Sequence, residues 1–141
     1  MSLWRCVMLV LSLLIAGCAG PGGPGVTRRE CLAIAELYRT HRWLPAAANV
    51  RHGIDADGVA VDTPDIGYQK PGAVPGWWVP GIVNEGIPYQ WGGFVTPEQF
   101  DRDVATGKAA GDVYTQRKRQ LLDAAVSRHA TGIDCSGLVS R

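Results

Sequence analysis

Cys135 stands in Gly132-Ile133-Asp134-Cys135-Ser136-Gly137-Leu138-Val139, between an acid and a serine and just ahead of an apolar pair. A thiol attacks only as thiolate, and a free cysteine at neutral pH is mostly protonated. Set in the first turn of a helix, the sulfur would face backbone N–H groups and the positive end of the helix dipole. On this reading Gly132 permits a tight approach of the chain and Gly137 leaves room for substrate. Leu138 and Val139 anchor the helix in the core. The plainer alternative is an inert cysteine in a glycine-rich turn. A second stretch with chemical content is Gly86-Ile87-Pro88-Tyr89-Gln90-Trp91-Gly92-Gly93. A carboxylate and two hydroxyls, from Asp134, Ser136 and Tyr89, can pair with an ammonium group.

Other residue groups invite weaker readings. Asp55, Asp57, Asp62 and Asp65 suggest calcium, but they lack the spacing and final Glu of an EF-hand loop, so a solvated hairpin is expected. Trp77 and Trp78 can line a sugar or peptide groove; adjacent tryptophans more often split, one in the core and one on the surface. Arg117, Lys118 and Arg119 read as a solvated helix face. His41, His52 and His129 all precede Cys135.

The elements that must position these groups follow from pattern and punctuation. Thr27-Arg28-Arg29-Glu30 is a capping box, and Cys31, Ile34, Ala35 and Tyr38 follow at helical spacing. A helix from Thr27 to about Trp43, stopping before Pro45, is predicted. Asp57-Gly58 marks a turn and Val59–Thr63 a short strand. Gly67 to Gly86 is irregular, punctuated by Pro71, Pro75 and Pro80. Thr96 caps a further helix with Pro97 first, Gln99 closing the box, Phe100 and Val104 inward and Gly107 as the stop. Asp112 caps a third helix whose buried stripe is Leu121, Leu122, Ala125 and Val126.

The chain of 141 residues suits one domain with one core. An apolar share of 46% excludes a disordered tail, while 18 Gly and 9 Pro imply a loop-rich body. A formal charge of +1 gives no pull toward nucleic acid. At the N-terminus, Arg5 precedes an apolar run from Val7 to Ile15 that is too short to span a bilayer. Ile15-Ala16-Gly17-Cys18 resembles the bacterial lipobox, whose cysteine is lipidated and becomes the new N-terminus. Residues 1–17 then form a lipoprotein signal peptide, Cys18 carries the lipid, and residues 18–25 are a Gly/Pro tether. Ala19 after that cysteine suggests outer-membrane sorting where the organism has an outer membrane. Removing the signal takes Arg5 with it and leaves 13 basic side chains against 13 acidic. It also leaves Cys31 and Cys135 as the free thiols. A disulfide between them is possible in an oxidising envelope, but it would silence Cys135, so Cys31 is read as a buried apolar residue.

Together, GIPYQWGG and the downstream GIDCSGLV resemble the NlpC-type peptidases, papain-like cysteine peptidases that cut peptidoglycan stem peptides. The resemblance covers residues 86–141, a partial catalytic domain, and leaves 26–85 as an N-terminal helix and irregular region. It implies an α+β fold, the N-terminal part of a papain-like domain, with Cys135 as nucleophile and a thioester intermediate. It also implies that Tyr89, Asp134 and Ser136 shape a pocket for the free amine end of a stem peptide. The implied partners are stem peptides and, through Cys18, a membrane; no cofactor and no metal are implied. Roughly forty residues separate the two motifs, more than the family usually has, so the intervening helices read as an insertion. The family's general base is a histidine on a strand after the nucleophile helix, and its third polar residue follows too. Neither has a counterpart after Val139, so an inactive, truncated chain is expected. The rival readings are a non-catalytic lipoprotein binding peptidoglycan, and an amidase or acyltransferase sharing Cys135.

Overall fold

A computed structural model describes residues 26–140. The signal, lipobox and tether readings, Cys18 among them, lie outside the described residues. The chain divides into two units, Met1–Cys31 and Leu32–Arg141.

Helix α1 (Arg28–Arg39) starts as its capping box dictates. Glu30 N–H donates to the Thr27 hydroxyl at 3.3 Å, and the Glu30 carboxylate accepts from Thr27 N–H at 2.7 Å. The helix ends four residues earlier than its apolar spacing predicts. Trp43 is drawn instead into strand β1 (Arg42–Trp43), which pairs antiparallel with β4 (Asn84–Glu85). Burial of the indole decides this: its N–H donates to Gly86 O at 2.8 Å, and its ring meets Trp78 and Phe100 edge-on at 5.4 and 4.9 Å. Of the expected stripe only Tyr38 is buried, its hydroxyl donating to Val95 O at 3.0 Å. The reading of Cys31 as buried is corrected, because its thiol is exposed and free. Only the last turn of α1 reaches the core.

Strands β2 (His52–Ile54) and β3 (Ala60–Asp62) form an antiparallel hairpin across the predicted Asp57-Gly58 turn. The expectation of a solvated hairpin is corrected for two of its carboxylates, because Asp55 and Asp65 are buried. Asp55 accepts from Val59 N–H at 2.8 Å, Asp57 N–H at 2.9 Å and the Ser127 hydroxyl at 2.5 Å. Burial works to raise its pKa, but these donors outweigh it and hold the carboxyl below its usual range.

Helix α2 (Pro97–Ala105) has Thr96 as cap, accepting from Gln99 N–H, and turns Phe100 and Val104 inward. The Gln99 side chain does not close the box; it donates to Asp103 at 2.8 Å. Two short parallel strands, β5 (Ala109–Ala110) and β6 (Ala130–Thr131), bracket helix α3 (Gln116–Leu121) and a 3-10 turn at Leu122–Ala125. Helix α3 departs from expectation. Its cap is Thr115, which accepts from Lys118 N–H at 3.1 Å, and Asp112 is buried instead of capping it. Leu121 and Leu122 are exposed; of the expected stripe Ala125 alone is buried. Lys118 is not solvated either. Its ammonium reaches Asp112 at 2.7 Å and Ala60 O at 2.5 Å, so the helix docks through a cation, not through leucines. Helix α4 (Cys135–Val139) completes a small mixed α+β protein.

Trp43, Trp78, Phe100, Val104 and Ala110 share one core cluster, so residues before and after Gly86 pack together. A second cluster joins Val61, Ala109 and Ala130. Among the described residues no helix is long and apolar enough to cross a membrane.

Candidate active site

The two motif segments, far apart in sequence, lie side by side through backbone pairing. Ile133 N–H donates to Pro88 O at 3.1 Å, and Gln90 N–H returns to Ile133 O at 3.2 Å. Tyr89 and Ile133 form a parallel bridge, and Asp134 N–H donates to Gly93 O at 3.0 Å. Glycine makes this approach possible. A Cβ on Gly132 would fall 2.5 Å from Pro88 O, and one on Gly137 only 2.2 Å from Gly93 O. The expectation that Gly137 leaves room for substrate is corrected, because the protein's own backbone fills that space.

Cys135 is the first residue of α4, and its thiol is exposed. Asp134 caps the helix through Oδ1, which accepts Gly137 N–H at 2.6 Å and the Ser136 hydroxyl at 2.7 Å. Its Oδ2 has no protein partner among the described residues. The expected anchoring by Leu138 and Val139 is only partly met: Leu138 is half-buried, while Val139 is 87% exposed. The glycine contact with Gly93 holds α4 instead. Tyr89 is half-buried beside this group. Burial, then the charges of Asp134 and of an ionised Cys135, push its pKa up to about 12. Its hydroxyl thus stays protonated at any working pH and can donate.

Behind Tyr89 lies a residue whose role the sequence does not announce. Asp112 N–H donates to Tyr89 O at 2.8 Å, and Trp91 N–H donates to Asp112 O at 3.0 Å. The Asp112 carboxylate accepts from Asp62 N–H at 3.1 Å and pairs with Lys118. Burial raises its pKa to about 6, with Lys118 pulling the other way. The six-residue spacing of Asp112 and Lys118 matches no helical pair rule, so only the fold brings them together.

A cleft of about 290 Å³ opens beside Asp134 and Ser136, with Trp91, Phe94, Leu122 and Val126 as its apolar walls. The Trp91 indole N–H donates to Leu122 O at 3.2 Å, and its ring lies 5.6 Å from that of Tyr114. Trp78 is core, while Trp77 is half-exposed and lines a separate cleft with Tyr38, Ile87 and Leu138.

Each described imidazole is engaged by carboxylates. His41 meets Asp101 at 2.7 Å, and His129 meets Asp57 at 3.1 Å. His52 lies between Asp65 and Asp62, at 3.0 and 3.5 Å. Among the described residues, no group of three or more His, Cys, Asp or Glu side chains is placed to hold a metal ion. In comparisons with known proteins, no family model, no curated protein and no solved structure matches the chain.

Proposed function

We propose that this protein is a thiol hydrolase of the cell envelope. Within that class it is a papain-like, NlpC-type cysteine peptidase acting on the stem peptides of peptidoglycan. The observation that carries this reading is the pairing of residues 88–93 with residues 132–134. It sets an exposed thiol beside a protonated Tyr89 hydroxyl and an Asp134 carboxylate oxygen without a protein partner among the described residues. The ammonium end of a peptide binds at Asp134, Ser136 and Tyr89. The Cys135 sulfur bonds to the γ-carbonyl carbon of a D-glutamyl residue, and the amide C–N bond breaks. The departing amine leaves with the proton given up by the thiol, and water then cleaves the thioester to a carboxylic acid.

Among the described residues none of the imidazoles of His41, His52 and His129 hydrogen-bonds Cys135, each pairing with a carboxylate elsewhere, and this favours a second reading of the same site. In that reading the protein binds stem peptides at Asp134, Ser136 and Tyr89 and forms no acyl-enzyme. Muropeptides incubated with the full chain and followed by intact-protein mass decide between these. A peptidase gives free cleaved peptide and a transient acyl adduct that Cys135→Ala lacks. A binder gives peptide retention with neither. Retention absent from both proteins would sink both readings.

The envelope location rests on the lipobox likeness at Cys18. Two acyl chains on that thiol suffice for stable anchoring. Cys18→Ser should move the protein from the membrane to the soluble fraction, and an unchanged distribution would remove the anchor from this account.

A further inference from the structure

A third cleft, of about 400 Å³, lies between the β2–β3 hairpin and the segment from Thr115 to Ala125. It shares no lining residue with the cleft beside Asp134 or with the one at Trp77. Ile54 and Val59 of the hairpin supply apolar wall on one side, Leu121 and Ala124 on the other. Ile54 is 63% exposed and Leu121 46%, so the described residues leave much of this apolar surface in water. A concave site of this size, apolar with a few polar groups, is the ordinary form of a small-molecule site.

The charges on the cleft do not cancel. Lys70 is offset by Asp62, with which it pairs. Lys118 is offset by Asp112, but its ammonium carries three N–H donors and finds two acceptors, Asp112 at 2.7 Å and Ala60 O at 2.5 Å. One donor is left over on a side chain that is only 6% exposed. Arg117 lines the same cleft and has no hydrogen-bond or ion-pair partner among the described residues. Its guanidinium therefore gives the cleft one uncompensated positive charge.

We infer that this cleft binds a monocarboxylate with an aliphatic chain, a ligand of the fatty-acid type. The carboxylate meets the Arg117 guanidinium, whose fork suits it bidentately, with the spare Lys118 N–H as a second donor on the same cleft. The hydrocarbon lies between Ile54 and Leu121 and takes their exposed surface out of water. One negative charge matches the one free cation. A dianionic phosphate monoester would bring a second charge that nothing in the cleft offsets, and apolar walls make an unpaired charge costly. The site stands apart from Cys135 and does not depend on the peptide reading.

The test titrates octanoate into the full-length chain by calorimetry, beside octan-1-ol and octyl phosphate. Octanoate should bind at least about tenfold more tightly than octanol, the scale of a hydrogen bond to a charged group. Arg117→Gln should weaken octanoate about tenfold, leave octanol unchanged, and leave the melting temperature unchanged because Arg117 is exposed. Leu121→Gln should weaken octanoate and octanol alike. Octanol binding as tightly as octanoate, or an octanoate affinity that Arg117→Gln does not move, overturns the anion site. Octyl phosphate binding more tightly than octanoate overturns the carboxylate as the ligand class. Absence of octanoate binding overturns the inference altogether and leaves the thiol site untouched.

Discussion

Two neighbouring regions of this protein are held by opposite means. Where residues 88–93 meet residues 132–137, backbone lies on backbone, and glycines leave no gap for a side chain. The segment from Gln116 to Ala125 is held by side chains: the Lys118 ammonium on Asp112, and the Trp91 indole on Leu122. The first kind of junction admits one geometry and tolerates almost no substitution. The second kind can be re-aimed by changing a few side chains.

The largest effect should come from breaking the backbone junction. Gly137→Ala would put a methyl group 2.2 Å from Gly93 O, so the helix must shift or the pairing must part. A loss of about 3 kcal/mol is expected, at the upper end for overpacking, read as a lowered urea midpoint. A wild-type midpoint would mean that the junction is looser than its contacts imply.

The side-chain junction should yield next, in a way that can be undone. Asp112→Asn leaves a buried ammonium without its counter-charge, a loss of roughly 3 kcal/mol. Adding Lys118→Met removes the orphaned charge and should restore most of that stability; failure to restore it would show that Asp112 acts chiefly through its contact with Asp62 N–H. The pair also predicts a pH signature. Asp112 has its pKa raised from 3.8 to about 6, so its contribution is fully present below about pH 4 and lost as pH rises through about 6. Asp55, held below its usual range, contributes in the opposite sense and loses its share as pH falls. The difference in Tm between the wild type and the double variant should therefore change between about pH 4 and 6. A difference constant over that window would discard the Asp112 assignment.

The smallest effect belongs to the exposed face of the inserted segment. Leu121→Gln should change stability by less than about 0.5 kcal/mol, because the residue packs on little. A larger loss, measured by thermal melting, would mean that the helix buries the leucine stripe its spacing first suggests.

These outcomes divide along the same line as legibility in the sequence. The Thr27–Glu30 box, the Thr96 cap with Pro97, the Asp57-Gly58 hairpin and the first position of Cys135 in a helix are all legible there, because each is decided within a few residues. Trp43, Asp112, Lys118 and Leu122 are not. Trp43 obeys distant rings instead of its helical register, and Lys118 leaves a charged surface run for a carboxylate six positions away. Leu122 carries no mark in sequence of the turn it makes. The glycines fall between these cases. Their pattern flags a close approach, but only the fold shows that Gly137 faces Gly93 and not a substrate.

The pairing of residues 88–93 with 132–134 has a consequence in time. A hairpin such as β2–β3 closes within microseconds of its residues becoming free to move. The junction beneath Cys135 must instead bring together segments about forty residues apart, and the entropy of closing that loop is lost before its contacts reward it. During synthesis Pro88 to Gly93 emerge and can pair with Asp112, but their second partner, Ile133, follows later still. The site around Cys135 is thus assembled late, after the hairpin and the helices that precede it. A chain halted partway through folding would carry Cys135 without the backbone pairing that positions it.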